Sequence, residues 1–92
     1  MLVRWTKPAA RDLTQICDYI EEKASPAAAR RVALSIYESV AALAKFPEQG
    51  RIGRKPGTRE LVLSGLAYLS IYRVRGEAVE ILRILHGARK WP

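Results

Sequence analysis

The chain has 92 residues, of which 49% are hydrophobic, and a formal net charge of +7 from 16 basic and 9 acidic residues. This length predicts one domain, residues 1–92, with a modest core, and the hydrophobic content excludes a disordered chain. No apolar run approaches the ~20 residues of a membrane helix, and the N-terminus lacks the apolar segment of a signal peptide. Cys17 is the only cysteine, which excludes an intrachain disulfide and a cysteine-based zinc site. We therefore expect a cytoplasmic protein, and its charge favours an acidic protein or a nucleic acid as partner.

The chain begins with a predicted strand and a predicted helix. Leu2 to Trp5 is a short apolar run, which predicts a strand that joins a C-terminal sheet. Pro8 suits the first turn of a helix, and Thr6 is a suitable cap. Apolar residues then recur at helical spacing, and Cys17 lies in that stripe, so we interpret it as a core residue. The same spacing puts Asp12 on the polar side of the helix.

A second predicted helix follows after a short link. Ser25 and Pro26 supply a cap and a first-turn proline, and the helix is expected to run to about Lys45, before Pro47. A link this short predicts an antiparallel helical hairpin. Because each helix has one apolar face, the two need a common cover, which a sheet can supply.

The segment from Phe46 to Thr58 contains three glycines and two prolines among several basic residues, which predicts a loop with a basic cluster. Its functional interpretation is a contact to phosphate or carboxylate, and the alternative is an ordinary solvated loop. The glycine spacing fits neither a P-loop nor a dinucleotide fingerprint. We expect no cofactor and no metal.

Three runs rich in Val, Ile, Leu and Tyr follow this loop: Arg59–Leu63, Ala67–Val74 and Ala78–His86. Short turns at Ser64-Gly65 and Gly76-Glu77 separate them, so neighbouring strands must be antiparallel. The sequence therefore predicts an α+β fold of the order β-α-α-β-β-β. In this fold a helical hairpin packs on one face of a four-stranded, largely antiparallel sheet.

The turn at Gly76-Glu77 predicts the register of the last two strands. It pairs Arg75 with Ala78, Arg73 with Glu80, Ile71 with Leu82 and Leu69 with Ile84. Because side chains alternate between faces, this apolar face is the one expected to lie under the helices. The other face then carries Tyr68, Ser70, Tyr72 and Arg83. If Ser64-Gly65 is also a two-residue turn, Arg59 lies opposite Ser70 in one row with Arg83; a loop one residue longer moves Arg59 to the other face.

Four phrases stand out in the order of these elements: Phe46-Pro47-Glu48-Gln49-Gly50-Arg51, Gly57-Thr58-Arg59-Glu60-Leu61, Ile71-Tyr72-Arg73-Val74 and Ile84-Leu85-His86-Gly87-Ala88-Arg89. Together with the order of the elements, they resemble the RelE/ParE superfamily of toxin–antitoxin toxins over essentially the whole chain. The second and fourth phrases are closer to the ParE branch.

The resemblance implies the toxin of a type II toxin–antitoxin system, which serves plasmid stabilisation or stress response. ParE-like members poison DNA gyrase, whereas RelE-like members cut messenger RNA on the ribosome. It also implies a neutralising partner, a ParD/RelB-like antitoxin with an acidic C-terminal segment. A shared fold cannot choose between the two targets, and an inactive relative that binds only its antitoxin is a third hypothesis.

Metal-free RNA cleavage needs a base, an acid and a cation near the phosphate. For a nuclease, the catalytic candidates are Arg59 and Arg83 as cations and His86 as the proton-transfer group. His86 is equally interpreted as a residue that packs at the end of a strand. Arg83 lies in an apolar strand, so it needs a partner, either a protein carboxylate or a bound phosphate. Because no tyrosine follows His86 and no carboxylate is evident near Arg83, the sequence favours the gyrase target.

The antitoxin is expected to cover apolar sheet and helix edges that basic residues flank. Tyr68 and Tyr72 are interpreted either as stacking residues or as the cover of an open sheet face. The candidates for partner binding are Arg30, Arg31, Arg59, Tyr68, Tyr72, Arg83, Arg89 and Trp91.

Overall fold

The computed structural model describes residues 1–63 and 65–87, and its elements follow the predicted order. They are β1 (Leu2–Trp5), α1 (Lys7–Lys23), α2 (Pro26–Ala41), a 3-10 turn (Ala42–Ala44), β2 (Arg51–Ile52), β3 (Arg59–Val62), β4 (Tyr68–Arg75) and β5 (Ala78–His86). Both predicted caps are confirmed. The Ala9 N–H donates to the Thr6 hydroxyl at 3.3 Å, and the Ala28 N–H donates to the Ser25 hydroxyl at 3.0 Å.

The strands form a five-stranded sheet in the order β1-β5-β4-β3-β2. β1 joins the sheet as predicted and runs parallel to β5, while the other pairs are antiparallel. The α+β fold is confirmed, but the expected count of four strands is wrong by one. The loop before β3 folds back as the two-residue strand β2, a pairing too short to leave a periodic pattern in the sequence.

The β4–β5 hairpin starts in the predicted register and then departs from it. Arg75 lies opposite Ala78 and Arg73 opposite Glu80, which confirms the turn at Gly76-Glu77. Further along, the register shifts, because Tyr72 pairs with Ile81 while its neighbour Ile71 pairs with Arg83. Leu82 is therefore the extra residue of a β-bulge, and the predicted Ile71–Leu82 and Leu69–Ile84 pairs are wrong.

The helices cover the face of β4 that carries Tyr68 and Tyr72, which is the opposite of the predicted assignment of the sheet faces. Two β5 residues three positions apart, Ile81 and Ile84, both join the core under the helices, and Tyr72 joins them with no exposed surface. The other face holds a smaller cluster of Leu69, Ile71 and Leu85, against which Leu82 packs. The expectation that Leu69 and Ile71 face the helices is therefore wrong. β4 alternates regularly, and the bulge in β5 only brings Ile84 to the helix side and moves Arg83 away from it.

The connection between β3 and β4 is longer than a two-residue turn. The Leu63 N–H donates to the Tyr68 carbonyl at 3.0 Å, and Arg59 lies opposite Tyr72 instead of Ser70. The expected row of Arg59, Ser70 and Arg83 therefore does not form. A shift of two residues keeps Arg59 on the helix-facing side with Tyr72, whereas the bulge moves Arg83 to the side of Ile71.

Candidate functional site

Arg83 has a protein carboxylate as its partner. Its Nε donates to Asp12 Oδ2 at 2.7 Å and its Nη2 to Asp12 Oδ1 at 2.9 Å, and the Ile84 N–H donates to the same carboxylate at 2.9 Å. The side-chain hydrogen bonds to Asp12 raise the pKa of Arg83 above its ordinary value. The sequence left a protein carboxylate or a bound phosphate open as the partner of Arg83, and the structure shows the carboxylate of Asp12. The expectation that no carboxylate lies near Arg83 is therefore wrong.

The expectation that Asp12 lies on the polar side of its helix is wrong, since Asp12 is only 8% exposed. The reason is the short β1, whose pairing with β5 stops at Ile81. Beyond that point α1 lies against β5, and Asp12 accepts the Ile84 N–H that no strand takes up. Residue spacing within one helix contains no information about the strand that the helix covers.

Tyr72 and Arg59 hold the segment Pro47–Gly50 against the sheet. The Tyr72 hydroxyl donates to the Pro47 carbonyl at 2.8 Å and accepts the Gly50 N–H at 2.9 Å. Arg59 Nη1 donates to the Gly50 carbonyl at 2.8 Å and to that of Glu48 at 3.4 Å. Burial raises the pKa of Tyr72 above 10.0, so the hydroxyl keeps its proton. The expected open-face position of Tyr72 is wrong.

Gly50 is required by this contact. A Cβ at this position would lie 2.7 Å from both Cε1 and the hydroxyl oxygen of Tyr72, closer than real side chains approach. The last residue of the Phe-Pro-Glu-Gln-Gly phrase, Gly50, therefore contacts Tyr72, which lies 22 residues further along the chain. The residues around Gly50 and those around Tyr72 contain no pattern that predicts this contact.

Glu60 organises the basic loop, and sequence reasoning missed it. The residue is 4% exposed, and its carboxylate accepts Arg51 Nη2 at 3.1 Å and the Arg54 N–H at 3.3 Å. The side chains of Arg51 and Arg54 are still 60% and 56% exposed. The signal was available, because a charge inside an apolar strand needs a partner in β3 as it does in β5. The loop thus presents cations that a buried acid holds in place.

Tyr68 and His86 lie at the far end of the β4–β5 hairpin. Their rings meet edge to face with centroids 5.7 Å apart. They line a cleft of about 390 Å³ together with Asp12, Gln15 and Tyr19 of α1. Tyr19 is 60% exposed and was not among the predicted site residues. The face of α1 that borders this cleft carries polar and aromatic groups suited to contact a partner.

The three catalytic candidates do not meet at one point. Arg59 pairs with Tyr72 and His86 with Tyr68, so about 13 Å along β4 and about 10 Å across two strand spacings separate them. Arg83 approaches the cleft of His86 only through Asp12, which it binds with two nitrogens. Among residues 1–63 and 65–87, no group of three or more His, Cys, Asp or Glu residues is arranged to hold a metal.

The comparisons with known proteins agree with the order of the elements and with the phrases of the sequence. Residues 3–91 match the family described as ParE toxin of type II toxin-antitoxin system, parDE. The chain belongs to the ParE toxin family.

Relatives and solved structures carry names from both branches of the superfamily. Toxin RelE2 of Caulobacter vibrioides is 44% identical over 95% of this chain and 96% of its own, and the Sinorhizobium fredii protein Y4kP, named as a candidate toxin, is 47% identical over 98% and 92%. A chain of the chromosomal ParDE system from P. aeruginosa superposes with a TM-score of 0.87 at 33% identity, covering 94% of this chain and 95% of that one. A chain of the RelBE2 complex from Mycobacterium tuberculosis gives 0.63 at 28%, covering 92% and 95%.

The remaining predicted residues of this ParE-family chain differ in their surroundings. Arg30 and Arg31 are exposed on α2 and make no hydrogen bond or ion pair within the part of the chain that the structure describes. Cys17 is partly buried against the core, and desolvation with Asp18 and Glu21 nearby raises the pKa of its thiol. The predicted contacts of Arg89 and Trp91 lie outside the described residues. No helix in the described ranges is long and apolar enough to cross a membrane.

Proposed function

We propose that this ParE-family chain inhibits DNA gyrase by binding it, performs no chemistry of its own, and is neutralised by a cognate antitoxin. The observation that carries the proposal is that Arg59 and Arg83, the two candidate cations of the sheet, already donate hydrogen bonds to groups of the chain. Arg83 is bidentate on Asp12, and Arg59 donates to the carbonyls of Gly50 and Glu48. A nuclease needs a cation free to meet the developing phosphate charge, and these two are committed to the fold.

The antitoxin part of the proposal is supported by charge and by the structural neighbours. The matched structures come from a ParDE system and from a RelBE2 toxin–antitoxin complex. The net charge of +7 favours an acidic partner, and the exposed Arg30 and Arg31 are the cations of α2 that such a partner meets without disturbing the fold. We expect the pair to contribute mainly to the association rate, and its effect to fall as salt is added.

The test is a pair of reactions with the purified protein. One contains gyrase and relaxed plasmid and is scored for supercoiling, and for double-strand breaks after detergent and protease. The other contains ribosomes on a defined message. Inhibited supercoiling or linear plasmid with an intact message is the expected result. A cleaved message with normal supercoiling would overturn the proposal.

A ribosome-dependent mRNA interferase is the second candidate function. The observation that favours it is the cleft beside His86, where the edge-to-face ring of Tyr68 and the exposed Tyr19 offer surfaces on which a base can stack. In that function His86 transfers the proton, and Asp12 has to release Arg83 for the phosphate. His86→Gln would then abolish message cleavage, with Tyr19→Phe as the matched control that keeps the stacking ring.

A further inference from the structure

Arginines are concentrated on the face of the sheet opposite the helices. On β4, Arg73 and Arg75 lie on the same side as Ile71, away from the core. Arg4 of β1 reaches this side too, because its guanidinium lies 3.6 Å from Glu80, which pairs with Arg73. The hydrogen bond from Arg73 lowers the pKa of Glu80, as do the charges of Arg75 and Arg4, so the three cations lie near one another.

The other end of the same face carries two further arginines. Arg51 lies opposite Glu60, and Glu60 lies opposite Ile71, so Arg51 belongs to this face. Arg54 follows in the loop, with its Nε 4.0 Å from the same glutamate. We call the surface formed by these five arginines the outer face: Arg4, Arg51, Arg54, Arg73 and Arg75.

The acids of the outer face lie beneath its cations. The side chains of Glu60 and Glu80 are 5% and 12% exposed, whereas the guanidinium groups that they hold belong to side chains that are 41–61% exposed. Among the described residues, Arg73 donates to Glu80 only through Nε, and Arg51 to Glu60 only through Nη2. Because a guanidinium has five N–H donors, the remaining donors can bind a further anion. The buried acids therefore orient the arginines and leave the positive charge at the surface.

The spacing of the outer-face arginines suits a linear array of phosphates. Arg4 and Arg51 lie on the two outermost strands, four strand spacings or about 19 Å apart. Arg73 and Arg75 lie on the middle strand, about 7 Å apart along it. One strand of a DNA duplex has a phosphate for every ~3.4 Å of the helix axis, so a face of this width spans about five phosphates of one backbone.

The exposed aromatic residues lie on another side of the molecule. Tyr19 belongs to α1, Tyr37 to α2, and Phe46 to the segment that follows α2. Among the described residues, the outer face has no exposed aromatic side chain. Single-stranded nucleic acids are bound by aromatic rings that stack on bases, and the cores of protein interfaces are rich in aromatic residues. A face of arginines without such rings fits the backbone of a duplex better than either of these partners.

We propose that the outer face binds the phosphate backbone of double-stranded DNA without reading its sequence. Arginine forks bind phosphate oxygens with two parallel hydrogen bonds, and the underlying glutamates hold the forks in place before the DNA arrives. The proposal rests on the proposed function only for the source of the DNA, which is then the segment that gyrase holds. In that complex the toxin contacts the enzyme and its DNA together.

Binding of DNA by this chain can be measured without gyrase, which separates the two proposals. If the chain binds duplex DNA but does not inhibit supercoiling, the proposed function is contradicted and the outer-face proposal stands. If the chain inhibits supercoiling but does not bind duplex DNA, the outer-face proposal alone is contradicted.

The probe is a fluorescein-labelled duplex of about twenty base pairs, titrated with the full chain at several salt concentrations and followed by anisotropy. We expect a dissociation constant of about 10⁻⁶–10⁻⁴ M at physiological salt, and a logarithm of the binding constant that falls with log salt at a slope of about −4 for five phosphate contacts. One strand of the same oligonucleotide should bind at least about fivefold more weakly. Equal or tighter binding of the single strand would overturn the proposal.

A pair of double variants separates the outer face from the net charge. Arg54→Gln with Arg75→Gln removes two exposed cations, while the Arg54 N–H still donates to Glu60. We expect it to weaken duplex binding about tenfold at low salt and to make the salt slope shallower by about two. Arg11→Gln with Lys23→Gln removes the same charge from exposed positions of α1 and should change the affinity by less than about twofold. Equal effects of the two double variants would overturn the proposal.

Polyglutamate of about twenty residues is the probe for an acidic protein surface. It is titrated into the wild type and the double variant of Arg54 and Arg75 under the same conditions. The duplex is expected to bind the wild type more tightly than polyglutamate does and to lose more affinity in the variant. Polyglutamate binding that depends on these two arginines, together with duplex binding that does not, would assign the outer face to an acidic protein and overturn the proposal.

Discussion

The arginines of the sheet donate hydrogen bonds within the chain, whereas those of α2 are exposed and make none among the described residues. Arg83 and Arg59 lie in strands, and each donates to groups of the chain, a buried carboxylate in one case and loop carbonyls in the other. Arg30 and Arg31 are exposed on a helix and have no ion pair among residues 1–63 and 65–87. A charge within a packed sheet must be compensated by the protein, so loss of its partner destabilises the fold, whereas a charge on a helix surface remains available to a partner.

The Asp12–Arg83 pair gives the largest expected effect. Asp12→Ala leaves the Arg83 guanidinium and the Ile84 N–H without their acceptor. Loss of one partner of a buried ion pair costs about 3–5 kcal/mol, and we expect a loss of about 3 kcal/mol in the free energy of unfolding, because the Arg83 side chain is 27% exposed. Denaturant unfolding measures the loss. Asp18→Ala, an exposed carboxylate of the same helix, is the control and should change stability by less than about 0.5 kcal/mol. Equal stability of the two variants would show that Asp12 is no structural partner.

The Tyr72 hydroxyl gives the next effect. Tyr72→Phe leaves the buried Gly50 N–H and the Pro47 carbonyl without this partner, so we expect a loss of about 1–2 kcal/mol and faster amide exchange at Gly50. Tyr37→Phe removes an exposed hydroxyl and is the matched control. If both variants unfold at the same denaturant concentration and exchange alike at Gly50, then Tyr72 does not hold the loop.

The ion pair of Glu80 with Arg73 should make the stability of the fold depend on pH. Arg73 donates to it at 2.7 Å, Arg4 lies 3.6 Å away, and the hydrogen bond from Arg73 lowers the pKa of Glu80 below its usual 4.5. The folded chain therefore binds this proton less tightly than the unfolded chain, so the stabilisation is present above the unfolded pKa and is lost as pH falls through the folded one. The stability difference between the wild type and Glu80→Gln should be greatest above about pH 5 and shrink in acid. A difference independent of pH would contradict this, and Glu77→Gln in the exposed turn is the control.

The α2 arginines give the smallest effect on stability. Replacing Arg30 and Arg31 together by Ala should change the free energy of unfolding by less than about 0.5 kcal/mol, because both side chains are exposed. The same variant should bind the cognate antitoxin more slowly at low salt, and high salt should remove that difference. A large loss of stability in this double variant would show that the arginines of α2 support the fold as those of the sheet do, which would contradict the comparison.

Local chemistry explains what the sequence could predict. The caps at Thr6 and Ser25 and the turn at Gly76-Glu77 depend on residues adjacent in the chain, and all three are confirmed. The need of Arg83 for a partner was also visible, since it interrupts an apolar strand. The nature of that partner was not visible, because Asp12 becomes buried through the end of β1 and not through its place in the helix.

Pairing across the sheet explains what the sequence could not predict. The extra residue Leu82 reverses the faces of the β5 residues beyond Ile81, and no pattern within β5 distinguishes it from regular alternation. The bulge also separates Arg83 from Arg59, which stays on the face of Tyr72. Tyr72 lies in the core for a different reason, because the helices cover its face of β4 and not the face of Ile71. The surroundings of Arg59, Tyr72 and Arg83 thus depend on contacts between distant parts of the chain, which the sequence pattern does not contain.

The most direct test of the account is the supercoiling assay with His86→Gln beside the wild type, with message cleavage on ribosomes measured in parallel. Binding without proton transfer predicts that the variant inhibits gyrase as strongly as the wild type and that neither protein cuts the message. Message cleavage by the wild type that falls by about 100-fold or more in the variant would contradict it, because a loss of that size is typical of a missing general acid or base.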